Sequence, residues 1–153
     1  MAQALFANQR EANLQSTVAL VEEVLGAIGY PAAESRLRDA ASAHAWEIAK
    51  GSATARITLV DRAAFTHLRV TATVMTIDTA VDRTALFAHL LELNAGLAGA
   101  AFATDGDHVL VVSERSTLDL DRSEVLDLIV RVTSTADDHD DALVARYGGR
   151  LGR

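Results

Sequence analysis

The spacing of hydrophobic residues changes several times along the chain, and each change predicts an element. Between about Asn8 and Ile28, the residues Leu14, Val18, Val21, Leu25 and Ile28 recur at intervals of three and four, which gives a helix with one apolar stripe. Glu22 and Glu23 fall off that stripe. The helix should stop at "GYP", because Gly29 can take a left-handed cap and Pro31 cannot extend a helix. The stretch "AAESRLRDAASAH" that follows has no clear period and reads mostly as loop. From Trp46 the period becomes two. Trp46 and Ile48 alternate with polar or small neighbours; after Gly51-Ser52 come Ala55, Ile57 and Leu59; after "DRAA" come Leu68, Val70, Ala72 and Val74. Three half-buried strands joined by short turns predict an antiparallel meander.

A second helix should start at Asp82, an N-cap flanked by Val81 and Leu86 at the positions of a hydrophobic staple. Its apolar stripe is wide: Leu86, Leu90, Leu93 and Leu97, with Phe87 and Leu91 alongside. Either the helix is deeply packed, or the side carrying Phe87 and Leu91 faces another molecule, a second copy of the chain or a client. "AAFATDGDHVLVVSE" predicts a hairpin turning at Asp105-Gly106. The last helix should begin at Asp121, with Glu124 completing an Asp version of the capping box and Leu120 and Val125 the staple. It should run to Tyr147 and end at Gly148-Gly149. The order is α-βββ-α-ββ-α, a two-layer α+β fold with an antiparallel sheet packed against helices. No internal repeat or linker interrupts it, so one domain over residues 1–153, with its core at about 8–149, is expected.

Composition narrows the chemistry. The net charge of −7 disfavours nucleic acid as a direct partner. The absence of cysteine excludes disulfides, thiol catalysis and Cys-ligated zinc, and fits a cytoplasmic location. "MAQALFANQREANLQ" lacks the basic and long apolar regions of a secretory signal, and no apolar run approaches a membrane span, so no membrane is expected as a partner. Thirteen Arg against one Lys, with many Ala, point to a GC-rich bacterial genome.

"TADDHDDALVARYGG" is the strongest candidate for chemistry, since four aspartates flank His139. On a wheel at 100° per residue, Val125, Val132, Ala136, His139, Leu143 and Tyr147 fall within roughly 80° of arc. His139 therefore belongs beside the apolar stripe. Asp137, Asp138 and Asp141 point the other way, and Asp140 borders the stripe. A metal needs ligands that converge on one point, so the expectation is a solvated acidic face, no metal site and no cofactor. His67 should meet solvent beside Arg69, and His89 should pair weakly with Glu92; Asn94 is placed to bind a ligand, but such an Asn more often bonds a local carbonyl or caps its helix. HExxH, GxSxG, P-loop and GxGxxG motifs are absent, and the serines of "SERS" have no activating His and Asp placed by sequence. No catalytic residues are assigned.

Several segments resemble the YbjN family, whose fold is similar to type III secretion chaperones of the Tir-chaperone class. They are "LGAIGYP", "WEIAKGSA", "LLELNAGLAGAAFATDGDHVLVVSE" and "LDLDRSEVLDLIVRVTSTADDHDDALVARYGG", spanning about Val18 to Gly149. The most suggestive elements are the Leu-Asn pair at 93–94, the small-residue approach to Phe102 and the terminal Tyr147-Gly148-Gly149. The family often has an aromatic near position 139, where this chain has histidine. The resemblance implies a homodimeric, non-enzymatic protein that binds a segment of a client protein, with no catalytic residues to carry over. A small-ligand sensor, or a metal-dependent enzyme using scattered His and Asp, stands as the alternative.

Overall fold

A computed structural model describes residues 2–38, 44–62 and 65–152. Its elements are α1 (Ala2–Ala27), α2 (Ala32–Ser35), β1 (Ala45–Lys50), β2 (Ala53–Asp61), β3 (Thr66–Thr76), α3 (Arg83–Asn94), β4 (Ala101–Asp105), β5 (His108–Ser116), α4 (Arg122–Tyr147) and β6 (Arg150–Leu151). The strands form one antiparallel sheet in the order β1-β2-β3-β5-β4, with β6 paired to β3. The fold is α+β, as the periods predict, with α2 and β6 added.

Alternation builds the core. Trp46, Ile48, Ile57, Leu68, Val70 and Val111 lie on one sheet face and are buried. α4 crosses β2, β3 and β5 on that side, and α1 packs beside α4. Val125, Ile129, Val132, Ala136 and Leu143 carry the α4 stripe into the core. Trp46 is fully enclosed. Its indole N–H donates to Glu22 of α1 at 3.2 Å, and the Arg36 guanidinium donates to the same carboxylate oxygen at 3.0 Å. Arg36 also lies 5.9 Å from the Trp46 ring centre, within cation–π range. Glu22, off the apolar stripe, thus joins α1 to β1.

Both caps form as expected. The Asp82 carboxylate accepts from the Ala85 N–H at 3.0 Å. Asp121 accepts from the Glu124 N–H, and the Glu124 carboxylate accepts from the Asp121 N–H, each at 3.0 Å. Gly29 has a φ of +93° and Gly148 a φ of +81°, backbone that favours glycine at both helix ends.

Three boundaries differ from expectation. α1 begins at Ala2 rather than about Asn8, because helix-favouring Ala, Gln and Leu extend it beyond the apolar stripe. The predicted loop after Pro31 is partly ordered: residues 32–35 form one helical turn, and the Leu37 N–H donates to the Ala45 carbonyl at 2.8 Å. Residues 39–43 of that predicted loop lie outside the described residues. The β4–β5 ladder closes at Asp105–His108, so the turn residues are Gly106-Asp107, not Asp105-Gly106. Only Gly106 of that pair has a positive φ, the arrangement of a turn with glycine first.

Candidate protein-binding surface

The acidic stretch in α4 is divided among different partners. The Asp137 carboxylate accepts from Ser52 N–H at 2.9 Å and from Ser52 Oγ at 2.6 Å, although the residue is exposed. These bonds hold its carboxyl below the usual carboxylate range. Asp140 is buried and lies 2.7 Å from the same hydroxyl. The two carboxylates therefore fasten α4 to the Gly51-Ser52 turn, which corrects the expectation that Asp137 only meets water. Asp138 and Asp141 are exposed, as the wheel predicts. His139 is half-buried; its Nδ1–H donates to the Thr135 carbonyl at 2.9 Å, and its ring meets Phe102 edge-on at 5.3 Å. Among the described residues, no group of three or more His, Asp or Glu side chains is placed to hold a metal ion.

Other polar candidates also have structural roles. His89 does not sit on the exposed side of α3. It lies half-buried with its ring 5.7 Å from Tyr147, and its buried Nδ1 has no hydrogen-bond partner among the described residues. Asn94 reaches strand β4 instead of a local carbonyl: it accepts from the Phe102 N–H at 2.7 Å and donates to the Phe102 carbonyl at 3.1 Å. Strand β4 is an edge of the sheet, so the Asn94 amide occupies backbone groups that would otherwise be open to another strand. His67 is half-buried, with Nδ1 3.3 Å from the Phe65 carbonyl.

The wide stripe of α3 resolves into two sides. Leu86 and Leu90 are buried and Leu93 packs partly against the core, as does Leu97, which the expected stripe included but which lies beyond the helix end at Asn94. Phe87 is half-buried against the same core. Leu91 is 70 % exposed, the most exposed of the large hydrophobic residues described. Ala88 and Ala95 beside it are also exposed, so this side of α3 carries an uncharged strip centred on Leu91.

A second apolar area was not singled out in the sequence. Leu126 and Val130, 38 % and 37 % exposed, stand four residues apart on α4. Leu126 borders a shallow cleft of about 250 Å³ whose other walls are Val24 and Ala27 of α1 and Ile28 just after it, with Arg122 and Ser123 at the rim. Arg122 donates to Glu23 across the two helices at 2.5 Å. Leu126 and Val130 lie about 100–140° from the α4 stripe on a 3.6-residue wheel, and that offset was the available signal. The cleft is smaller than ordinary small-molecule pockets of about 300–1,000 Å³.

The sheet face away from α4 is partly polar. Glu114 accepts two bonds from Arg62, at 2.7 and 2.8 Å, and one from Arg69 at 2.6 Å. The Arg62 hydrogen bonds lead in pulling its pKa from 4.5 to about 2, against the opposing effect of burial. Leu110 and Val112 on that face are half-buried.

Comparison with known proteins agrees with this geometry. The family model TY-Chap1, described as T3SS (YopN, CesT) and YbjN peptide-binding chaperone 1, matches residues 15–152. No curated protein matches the chain. Among solved structures, the ExsC-ExsE complex is similar with a TM-score of 0.62 at 16 % identity, over 84 % of this chain and 94 % of that one. The HopA1-SchA chaperone-effector complex gives 0.59 at 12 % identity, over 86 % and 97 %. The Yersinia pestis type III secretion chaperone SycH, in complex with a fragment of YscM2, gives 0.54 at 16 % identity, over 77 % and 94 %. At these identities the structures establish likeness of fold.

Proposed function

The chain belongs to the TY-Chap1 family of T3SS and YbjN peptide-binding chaperones, and from that premise we propose that it is a non-enzymatic, homodimeric module that holds a segment of a client protein. The observation that carries the reading is the family match over residues 15–152. The complexes that resemble it in fold, ExsC-ExsE and HopA1-SchA, support it, the second being titled a chaperone-effector complex. Uncharged side chains left exposed on two helices support it further. A surface that keeps Leu91, Leu126 and Val130 in water favours covering them with protein.

In this reading, Phe87 and Leu91 of α3 form the contact between two copies, and Leu126 and Val130 with the α1–α4 cleft contact the client. Residues 1–153 act as one domain in a bacterial cytoplasm. No helix of the described residues is long and apolar enough to cross a membrane. Specificity comes from the ionic rim, where Glu23 and Arg122 flank the cleft.

The test compares affinity capture from the native host by the wild type and by the double variant Leu126→Glu, Val130→Glu, with mass spectrometry of the retained proteins. A client retained by the wild type and lost by a folded double variant supports the reading. Equal retention by both removes the cleft from it.

A further inference from the structure

Strand β2 pairs with β3 only as far as Ala55–Ala72, because the chain then turns at Gly51-Ser52 into β1. Strand β3 runs on to Thr76. Beside this extension, on the side that β2 has left, lies β6, which pairs Leu151 with Met75 and Arg150 with Thr76. The Gly152 N–H donates to the Val74 carbonyl at 3.1 Å.

Three features distinguish β6 from the other strands. It is two residues long. It follows Gly148 and Gly149, with φ of +81° and +84°, two residues without side chains to restrain a swivel. It also lies very close to the backbone of β3: a Cβ on Gly149 would fall 2.6 Å from the Thr76 carbonyl oxygen, and a Cβ on Gly152 2.5 Å from that of Thr73. The slot therefore admits a segment that follows the path of Gly149 to Gly152 only if it is small at these two positions. Leu151 between them is half-buried opposite Met75.

We propose that the edge of β3 at residues 73–76 is an acceptor site for an extended peptide strand, which β6 fills in cis. Its ligand is a segment with small residues three apart and an apolar residue just before the second, as in Gly149-Arg150-Leu151-Gly152. Main-chain hydrogen bonds to β3 give such a segment its affinity, and the two small positions give it selectivity. A short strand on a glycine hinge opens at lower cost than the sheet it joins, so an incoming strand can replace it. The proposal rests on the peptide-binding reading above and adds to its α1–α4 cleft a second contact, with the sequence that this contact accepts.

The experiment needs no client. Gly152→Val in the full chain places a side chain against the Thr73 carbonyl and so dislodges β6. The probe is a fluorophore-labelled peptide with the sequence of residues 146–153, followed by anisotropy. The expected result is binding to the variant tighter than to wild type by about tenfold or more, because the tethered strand competes at high effective concentration in the wild type. The same peptide with valine at both small positions should not bind. Equal binding to wild type and a folded variant, or equal binding of the valine peptide, overturns the proposal. A chain ending at Gly149 is measured alongside and read in the same way. If both forms lose their folded circular-dichroism signal, β6 is a fixed part of the sheet and the proposal is wrong. Client capture from the host does not enter these readings, so failure there and failure here are separate results.

Discussion

Asp137 shows how far a helical wheel reads a residue. The wheel placed it with Asp138 and Asp141 on the wet side of α4, and all three are exposed. It could not show that the β1–β2 turn comes within 2.6 Å of Asp137 from another part of the sequence. Replacing Asp138 and Asp141 by Asn should leave the melting temperature unchanged, because exposed charges contribute little. Ser52→Ala, which removes the hydroxyl facing both Asp137 and buried Asp140, should cost about 1.5–3 kcal/mol in a urea titration. A Ser52→Ala midpoint equal to wild type would show that the hydroxyl adds nothing to the hold of α4 on the turn, which would then rest on the Ser52 N–H bond to Asp137. Glu114 sets a pH dependence whose sign follows from its lowered pKa. The folded carboxyl titrates at about 2 against an ordinary 4.5. The stability it adds is fully present above pH 4.5 and is lost as pH falls from 4.5 toward 2. Glu114→Gln should flatten the dependence of melting temperature on pH in that window, and an unaltered slope would contradict the Arg62–Glu114–Arg69 arrangement.

At the scale of elements, long periodic segments and capped helices were legible, and short or contact-defined ones were not. Trp46 and Ile48 share a buried face because a two-residue period sets that geometry, and Asp121 with Glu124 closes a capping box by local spacing alone. The turn at 105–108 was displaced by one residue, because Asp-Gly and Gly-Asp both suit a two-residue turn and only the ladder selects between them. α2 and β6 have too few residues to show a period. The Asn94 side chain was misread because its partner, Phe102, lies on another element. Trp46 makes the junction of α1, α2 and β1 measurable. Trp46→Ala should cost about 3–5 kcal/mol, as expected for a large buried aromatic, followed by circular dichroism in denaturant because the only tryptophan is gone. His139→Ala should cost about 1–3 kcal/mol, since it removes the ring against Phe102. A loss at Trp46 no larger than that at His139 would show that the α1–β1 junction is not a principal part of the core.

For the whole molecule, the proposed function divides the apolar surface between a second copy and a client. Phe87 and Leu91 were legible as a pair from the excess width of the α3 stripe, whereas their burial was not: the fold itself covers much of Phe87 and leaves Leu91 in water. A single charge at Leu91 therefore disturbs the proposed contact between copies without opening the core. Leu91→Asp should convert a dimer at micromolar concentration into a monomer by light scattering, with helix content retained. Leu126→Glu with Val130→Glu should leave the dimer mass intact, because those residues lie on α4 beside the α1 cleft. The two outcomes test the division of labour from opposite sides. If the α4 double variant becomes monomeric and Leu91→Asp stays dimeric, the copies meet across α1 and α4, and the exposed strip of α3 becomes the surface available to a client.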